Sequence, residues 1–95
     1  MRRLLPTLAL LLALPACGHK ATEADCKLIV DRSIEVQLDA QGITDPVVRA
    51  KQRETLQKKA GDVDIKGCIG RRVTDGMLEC VRQAKTPDEV TACLQ

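Results

Sequence analysis

Cys80-Val81-Arg82-Gln83-Ala84-Lys85-Thr86-Pro87-Asp88-Glu89-Val90-Thr91-Ala92-Cys93 decides the fold. Thr86 reads as a helix N-cap, Pro87 suits the first helical position, and Glu89 completes a capping box. A short helix therefore opens here and carries Val90, Cys93 and Leu94. Met77, Cys80, Val81 and Ala84 recur just before it at the three- and four-residue steps of a helical face. Two helices joined by so tight a turn run antiparallel, and residues equidistant from the turn lie side by side. The midpoint of Cys80 and Cys93 falls between Thr86 and Pro87, so the spacing predicts a disulfide between them.

The same reasoning extends upstream. Thr22-Glu23-Ala24-Asp25 is close to a capping box, with Asp in place of Glu, and starts a helix whose face is Cys26, Ile29, Val30, Ile34 and Leu38. Gly42 suits the left-handed position just past its end, and Ile43 supplies the apolar contact that often follows. Asp45-Pro46 restarts the chain as a cap and a first-turn proline. The second helix is expected over residues 46–60, stopping at Gly61, with a thin stripe of Val48, Leu56 and Ala60 that covers one side of the first helix. Ile65, Cys68, Ile69 and Val73 suggest a third helical piece before the Met77–Ala84 one. Gly70 and Gly76 weaken this stretch, and the pattern leaves open whether residues 64–85 form one helix or two. With the first turn centred on residues 42–44, Cys26 lies opposite the C-terminal end of the second helix, a few residues before Cys68. The expected architecture is an all-α hairpin bundle of about four helices stapled by Cys26–Cys68 and Cys80–Cys93.

Composition explains why staples are needed. The 95-residue chain has no Phe, Tyr or Trp. Aromatic side chains each bury roughly 150–250 Å², so a core of Leu, Ile, Val, Met and Cys has little apolar area for a domain this small. In the chain-entropy model the longer disulfide loop stabilises by about 4 kcal/mol and the shorter by about 3 kcal/mol. An even set of cysteines with this spacing is a disulfide framework of the kind found in exported chains.

The N-terminus fits export. Arg2 and Arg3 precede an apolar run over residues 4–14, which closes in Leu14-Pro15-Ala16-Cys17. The run is too short to cross a bilayer, which takes about 20 apolar residues, and has the layout of a secretory signal. It resembles a bacterial lipoprotein signal, whose lipobox has an aliphatic residue at the position of Leu14, a small one at Ala16 and the lipidated cysteine at Cys17. Pro15 stands where Ala or Ser is usual. The whole chain loosely resembles the short, helical, four-cysteine bacterial lipoproteins of unassigned role. The resemblance implies removal of residues 1–16, a lipid-anchored tether over residues 17–21 and a folded domain over residues 22–95. It also implies a covalent lipid on Cys17 in place of any other cofactor. Gly18, a residue other than Asp after the cysteine, implies the periplasmic face of the outer membrane.

Little else in the chain carries chemistry. The four remaining cysteines include no Cys-x-x-Cys pair, and the single histidine, His19, sits two residues from Cys17, so neither a zinc site nor a redox pair is expected. No histidine within the folded part can serve a nucleophilic cysteine as base. Asp62-Val63-Asp64, read as an extended segment, would put two carboxylates on one side, the basis of an alternative reading as a small periplasmic hydrolase or its inhibitor. The basic residues from Arg49 to Lys59 are interrupted by Glu54 and flanked by Asp45 and Asp62, which reads as a solvated helix face. Loss of Arg2 and Arg3 reduces the 15 basic residues to 13, against 13 acidic ones. With no net pull toward nucleic acid or anionic lipid, and no aromatics to stack on bases, neither is an expected partner of this run, and the charged second helix argues against insertion into a membrane. The expected role is non-enzymatic: an anchored envelope protein whose helical surface contacts another envelope protein. Metabolic labelling with a palmitate analogue should mark the wild-type chain, and Cys17→Ser should abolish the label; two acyl signals suffice for stable anchoring.

Overall fold

A computed structural model describes residues 18–95, apart from the side chains of Asp62 and Val63. Cys17 and the signal-like stretch before it lie outside the described residues. In chain order the elements are β1 (His19–Lys20), α1 (Glu23–Ala40), α2 (Pro46–Cys68), β2 (Arg72–Val73), α3 (Asp75–Gln83) and α4 (Pro87–Cys93). The described chain is thus a four-helix arrangement with one small antiparallel ribbon, in which His19 pairs with Val73 and Lys20 with Arg72.

The helix ends follow from their capping residues. Thr22 accepts a hydrogen bond from the Asp25 N–H at 3.1 Å, and the Asp25 carboxylate accepts one from the Thr22 N–H at 3.0 Å, completing the box at the start of α1. At its end Gly42 takes φ +72°, while Gly42 N–H donates to the Asp39 carbonyl and Ile43 N–H to the Leu38 carbonyl. These two bonds are the Schellman closure that glycine permits. Asp45 caps α2 by accepting from the N–H groups of Val47 and Val48, and Thr86 caps α4 by accepting from the Glu89 N–H, while the Glu89 carboxylate accepts from the Lys85 N–H one residue before the N-cap position a capping box would use.

α1 is the central element because it is apolar on two sides. Cys26, Leu28 and Ile29 join one cluster with Ala21, Val73, Leu78, Ile65 and Cys68. Val36 joins a second with Val81, Ala84 and Val90, to which Leu28 and Ile29 also contribute. The stripe read from the sequence omitted Val36, which stands about 200° around the axis from Ile34, on the side that Ile29, two turns earlier, also reaches. That second face receives the α3–α4 hairpin. Arg32 fastens it, donating through Nε and Nη2 to the Ala84 carbonyl at 3.1 and 2.6 Å, where the partial negative charge of a helix C-terminus favours a cation.

Three expectations are corrected. α2 does not stop at Gly61 but runs on to Cys68. Gly61 and Gly67 each weaken the helix by about 1 kcal/mol, and the packing of Ile65 and the crosslink at Cys68 outweigh that. Residues 69–74 are not a third helical piece. Gly70 turns the chain at φ +88°, and reciprocal bonds between Ala21 and residues 70–71 draw it into the ribbon. Thr74 then caps α3 by accepting from Met77 N–H, so residues 64–85 hold the end of one helix and the whole of another. Val48 is exposed rather than part of the α2 stripe. In addition, residues 18–21 are woven into the fold: His19 and Lys20 form β1, and Ala21 is buried.

Both expected disulfides are present. Cys26–Cys68 joins α1 to the end of α2 with a Cα separation of 5.9 Å, and Cys80–Cys93 joins α3 to α4 at 5.6 Å. These separations suit the bond.

Gly18 has no room for a side chain. It takes φ +68°, and an added Cβ would lie 2.3 Å from the Val73 carbonyl oxygen; Gly42 shares the conformation but faces open space. Gly18→Ala should therefore lose about 2–3 kcal/mol of unfolding free energy and Gly42→Ala only about 1 kcal/mol, a difference that urea denaturation of the two variants will show.

Candidate functional site

Register places the candidate site. About the first turn, Glu35 meets Arg53, Asp39 meets Arg49, and Asp31 meets Gln57, all equidistant from residue 44. Cys26 and Cys68 are centred instead on residue 47. From Gln57 to Cys68 α2 climbs about 16 Å, while α1 descends only about 8 Å from Asp31 to Cys26. α2 must therefore cross α1 obliquely at this end, and the helices do not close on one another along their length.

The crossing leaves a groove of about 470 Å³ along α1 and α2. Ile29, Val30 and Ile34 form one wall and Leu56 and Ala60 the other, with the Cys26–Cys68 bond at one end. Gln37, Lys59 and Asp64 give it a polar rim. Ser33 also lines it, but its hydroxyl donates to the Ile29 carbonyl at 2.7 Å. The walls are aliphatic, so the groove suits apolar side chains, whose burial is worth roughly 25 cal/mol per Å².

Salt bridges hold the far end of the hairpin. Arg49 donates to Glu35 Oε2 at 2.7 Å, to Asp39 at 2.9 Å and to the Ile43 carbonyl at 2.8 Å, while Arg53 donates through Nε to Glu35 Oε1 at 2.5 Å. Arg49 and Arg53 are thus turned inward from the run read as a solvated face; Lys51, Lys58 and Lys59 remain exposed. The sequence reading missed Glu35, Asp39, Arg49 and Arg53. The midpoint rule applied to the cysteines would have found them, since each pair brackets the same turn. Asp31 and Arg32 lie on α1 between this cluster and Cys26.

The other predicted residues are less organised. Asp64 is exposed at the groove rim. Residues 62–64 are helical, not extended, and positions two apart on a helix lie about 200° apart. Positions 62 and 64 therefore do not share a face, which corrects the extended reading of this segment. His19 Nε2 lies 3.0 Å from Asp25 Oδ2, on the carboxylate that already caps α1. Among the described residues no group of three or more His, Cys, Asp or Glu side chains could hold a metal ion, and no helix is long and apolar enough to cross a membrane. Searches of protein families, curated proteins and solved structures find no match to the chain.

Local electrostatics support a structural part for Glu35. The hydrogen bonds from Arg53 and then Arg49 hold its carboxyl below the usual range, against partial burial, which acts the other way. The Thr22 N–H, followed by His19, lowers Asp25 similarly. A carboxyl depressed in the folded state contributes stability that is fully present above its unfolded pKa and is lost as pH falls through the folded one. Glu35→Gln should thus be less stable by about 1–2 kcal/mol at neutral pH, allowing for solvent screening. Its deficit should shrink as urea melts are repeated at successive steps into acid.

Proposed function

We propose that the chain is a lipid-anchored protein of the bacterial cell envelope, attached through Cys17 at the periplasmic face of the outer membrane. It acts there as a non-enzymatic interaction module. The anchor rests on one observation above all: Leu14-Pro15-Ala16-Cys17 closes a signal-like run immediately before the folded domain. The two disulfides support export to an oxidising compartment.

The interaction part of the reading rests on the groove. Two antiparallel helices that fail to close against each other offer the apolar side of a third, and an amphipathic helix of an envelope partner fits aliphatic walls of this kind. The walls lie on a scaffold crosslinked at one end and ion-paired at the other, so little ordering is required on binding. Catalysis has less to draw on, because positions 62 and 64 lie two residues apart on a helix and do not share a face.

A photo-crosslinking residue in place of Gln37, on the groove rim, should yield one discrete adduct in intact cells, while the same residue in place of Gln83, on α3, should not. Ala60→Gln should fill the groove and reduce that adduct at least about five-fold, in keeping with overpacking of 1 kcal/mol or more, with an unchanged helical circular dichroism spectrum. Identical adducts at both positions, or none at Gln37, would overturn the interaction reading.

A further inference from the structure

Lys20 and Arg72 stand directly opposite each other in the β1–β2 pairing, and both are exposed. Like charges at opposed positions of an antiparallel pair repel, and the repulsion weakens the pairing. Arg71, also exposed, is held beside them: its carbonyl accepts from the Ala21 N–H at 2.7 Å. Three cations are thereby gathered on one short ribbon. No acid among the described residues forms an ion pair with them. Asp25 is occupied by His19 and the Thr22 N–H. Asp64 lines the same groove of about 560 Å³ as Arg71 and Arg72, and Asp75 begins α3 just beyond, yet neither ion-pairs with these cations among the described residues.

The position of this cluster in the chain identifies its ligand. Gly18 is packed against Val73 and Thr74, so no slack separates the ribbon from Cys17, whose Cα is fixed about 3.8 Å from that of Gly18 by covalent geometry. A lipid on Cys17 would bring the ribbon within a Debye length of the bilayer, about 8 Å at physiological ionic strength. We infer that Lys20, Arg71 and Arg72, juxtaposed on the ribbon next to the anchor, form a seat for anionic phospholipid headgroups and set how the domain stands on the membrane. The inference rests on the anchoring proposed above. Overall charge balance conceals this pole, because attraction to a headgroup layer depends on cations close to the surface. Each contributes about five-fold, so three favour the seated orientation by on the order of a hundred-fold.

The lipidated protein, floated with vesicles of phosphatidylcholine alone or of equal parts phosphatidylcholine and phosphatidylglycerol, provides the test. Phenylglyoxal modification, read by mass spectrometry, should be at least about five-fold slower at Arg71 and Arg72 on the mixed vesicles. Arg82, exposed on α3, should react equally on both, and molar salt should remove the difference. In the Lys20→Gln/Arg72→Gln variant the protection of Arg71 should largely disappear. Equal modification on the two vesicle types, equal slowing at Arg82, or full protection in the double variant would overturn the seat. Failure to float with the neutral vesicles would instead overturn the anchor, and the seat with it, and it is read from the gradient rather than from the footprint.

Discussion

The bond between Cys26 and Cys68 is the constraint on which the described domain depends. It lies within a cluster of Ala21, Val73, Leu78, Ile65 and Ile29, small aliphatic side chains with no aromatic among them. Such a cluster buries too little area to offset the chain entropy of ordering by itself. The crosslink acts largely by limiting the unfolded chain, and its 42-residue loop makes that effect the larger of the two disulfides. It also has a geometric consequence. By carrying α2 past Gly61 to reach α1, it delivers residues 69–73 to the N-terminal segment, where the ribbon forms.

From this follows the two-sided use of α1. One face takes α2 and the other takes the α3–α4 hairpin, which has its own crosslink and is fastened by Arg32 to the end of α3. α2 is the less embedded partner: none of its described residues is fully buried, and Leu56, Ala60 and Ile65 are half-buried. Its hold on α1 is divided between ion pairs near the turn and a covalent bond at the other end. The groove opens along the stretch between. Ion pairs of partly exposed groups are individually weak, but Glu35, Arg49, Arg53 and Asp39 share partners and lie close to the turn, where little chain entropy is spent in bringing them together.

On the proposed reading, these features divide the molecule by distance from the anchor. The ribbon is next to Cys17 in the chain and carries a local excess of positive charge, whereas the salt-bridged turn lies at the other end of the α1–α2 hairpin. A domain with no slack behind its anchor has few orientations open to it, and one that is seated presents the α1–α2 groove consistently. Orientation of this kind is a form of preorganisation: fewer degrees of freedom remain to be lost when a partner binds.

The sequence by itself determined the helix starts at Thr22, Asp45 and Thr86, the Gly42–Ile43 stop, the all-α class and the partners of all four cysteines in the domain. Each of these depends on contacts within a few residues, or on pairing across a turn that local signals locate, although Cys26 and Cys68 sit three residues off the centre that the ion pairs share. The long reach of α2, the strands at residues 19–20 and 72–73, the buried Val36 and the inward-facing Arg49 and Arg53 were decided only in three dimensions. Ile65, Cys68, Ile69 and Val73 have helical spacing, and Gly70, which weakens it, does not by itself say that the chain leaves the helix there for a strand. What pulls it out is hydrogen bonding between Ala21 and residues 70–71, some fifty positions apart in the chain. The groove and the cationic ribbon have the same origin, since a crossing angle and a strand register are properties of two distant segments together and belong to neither alone.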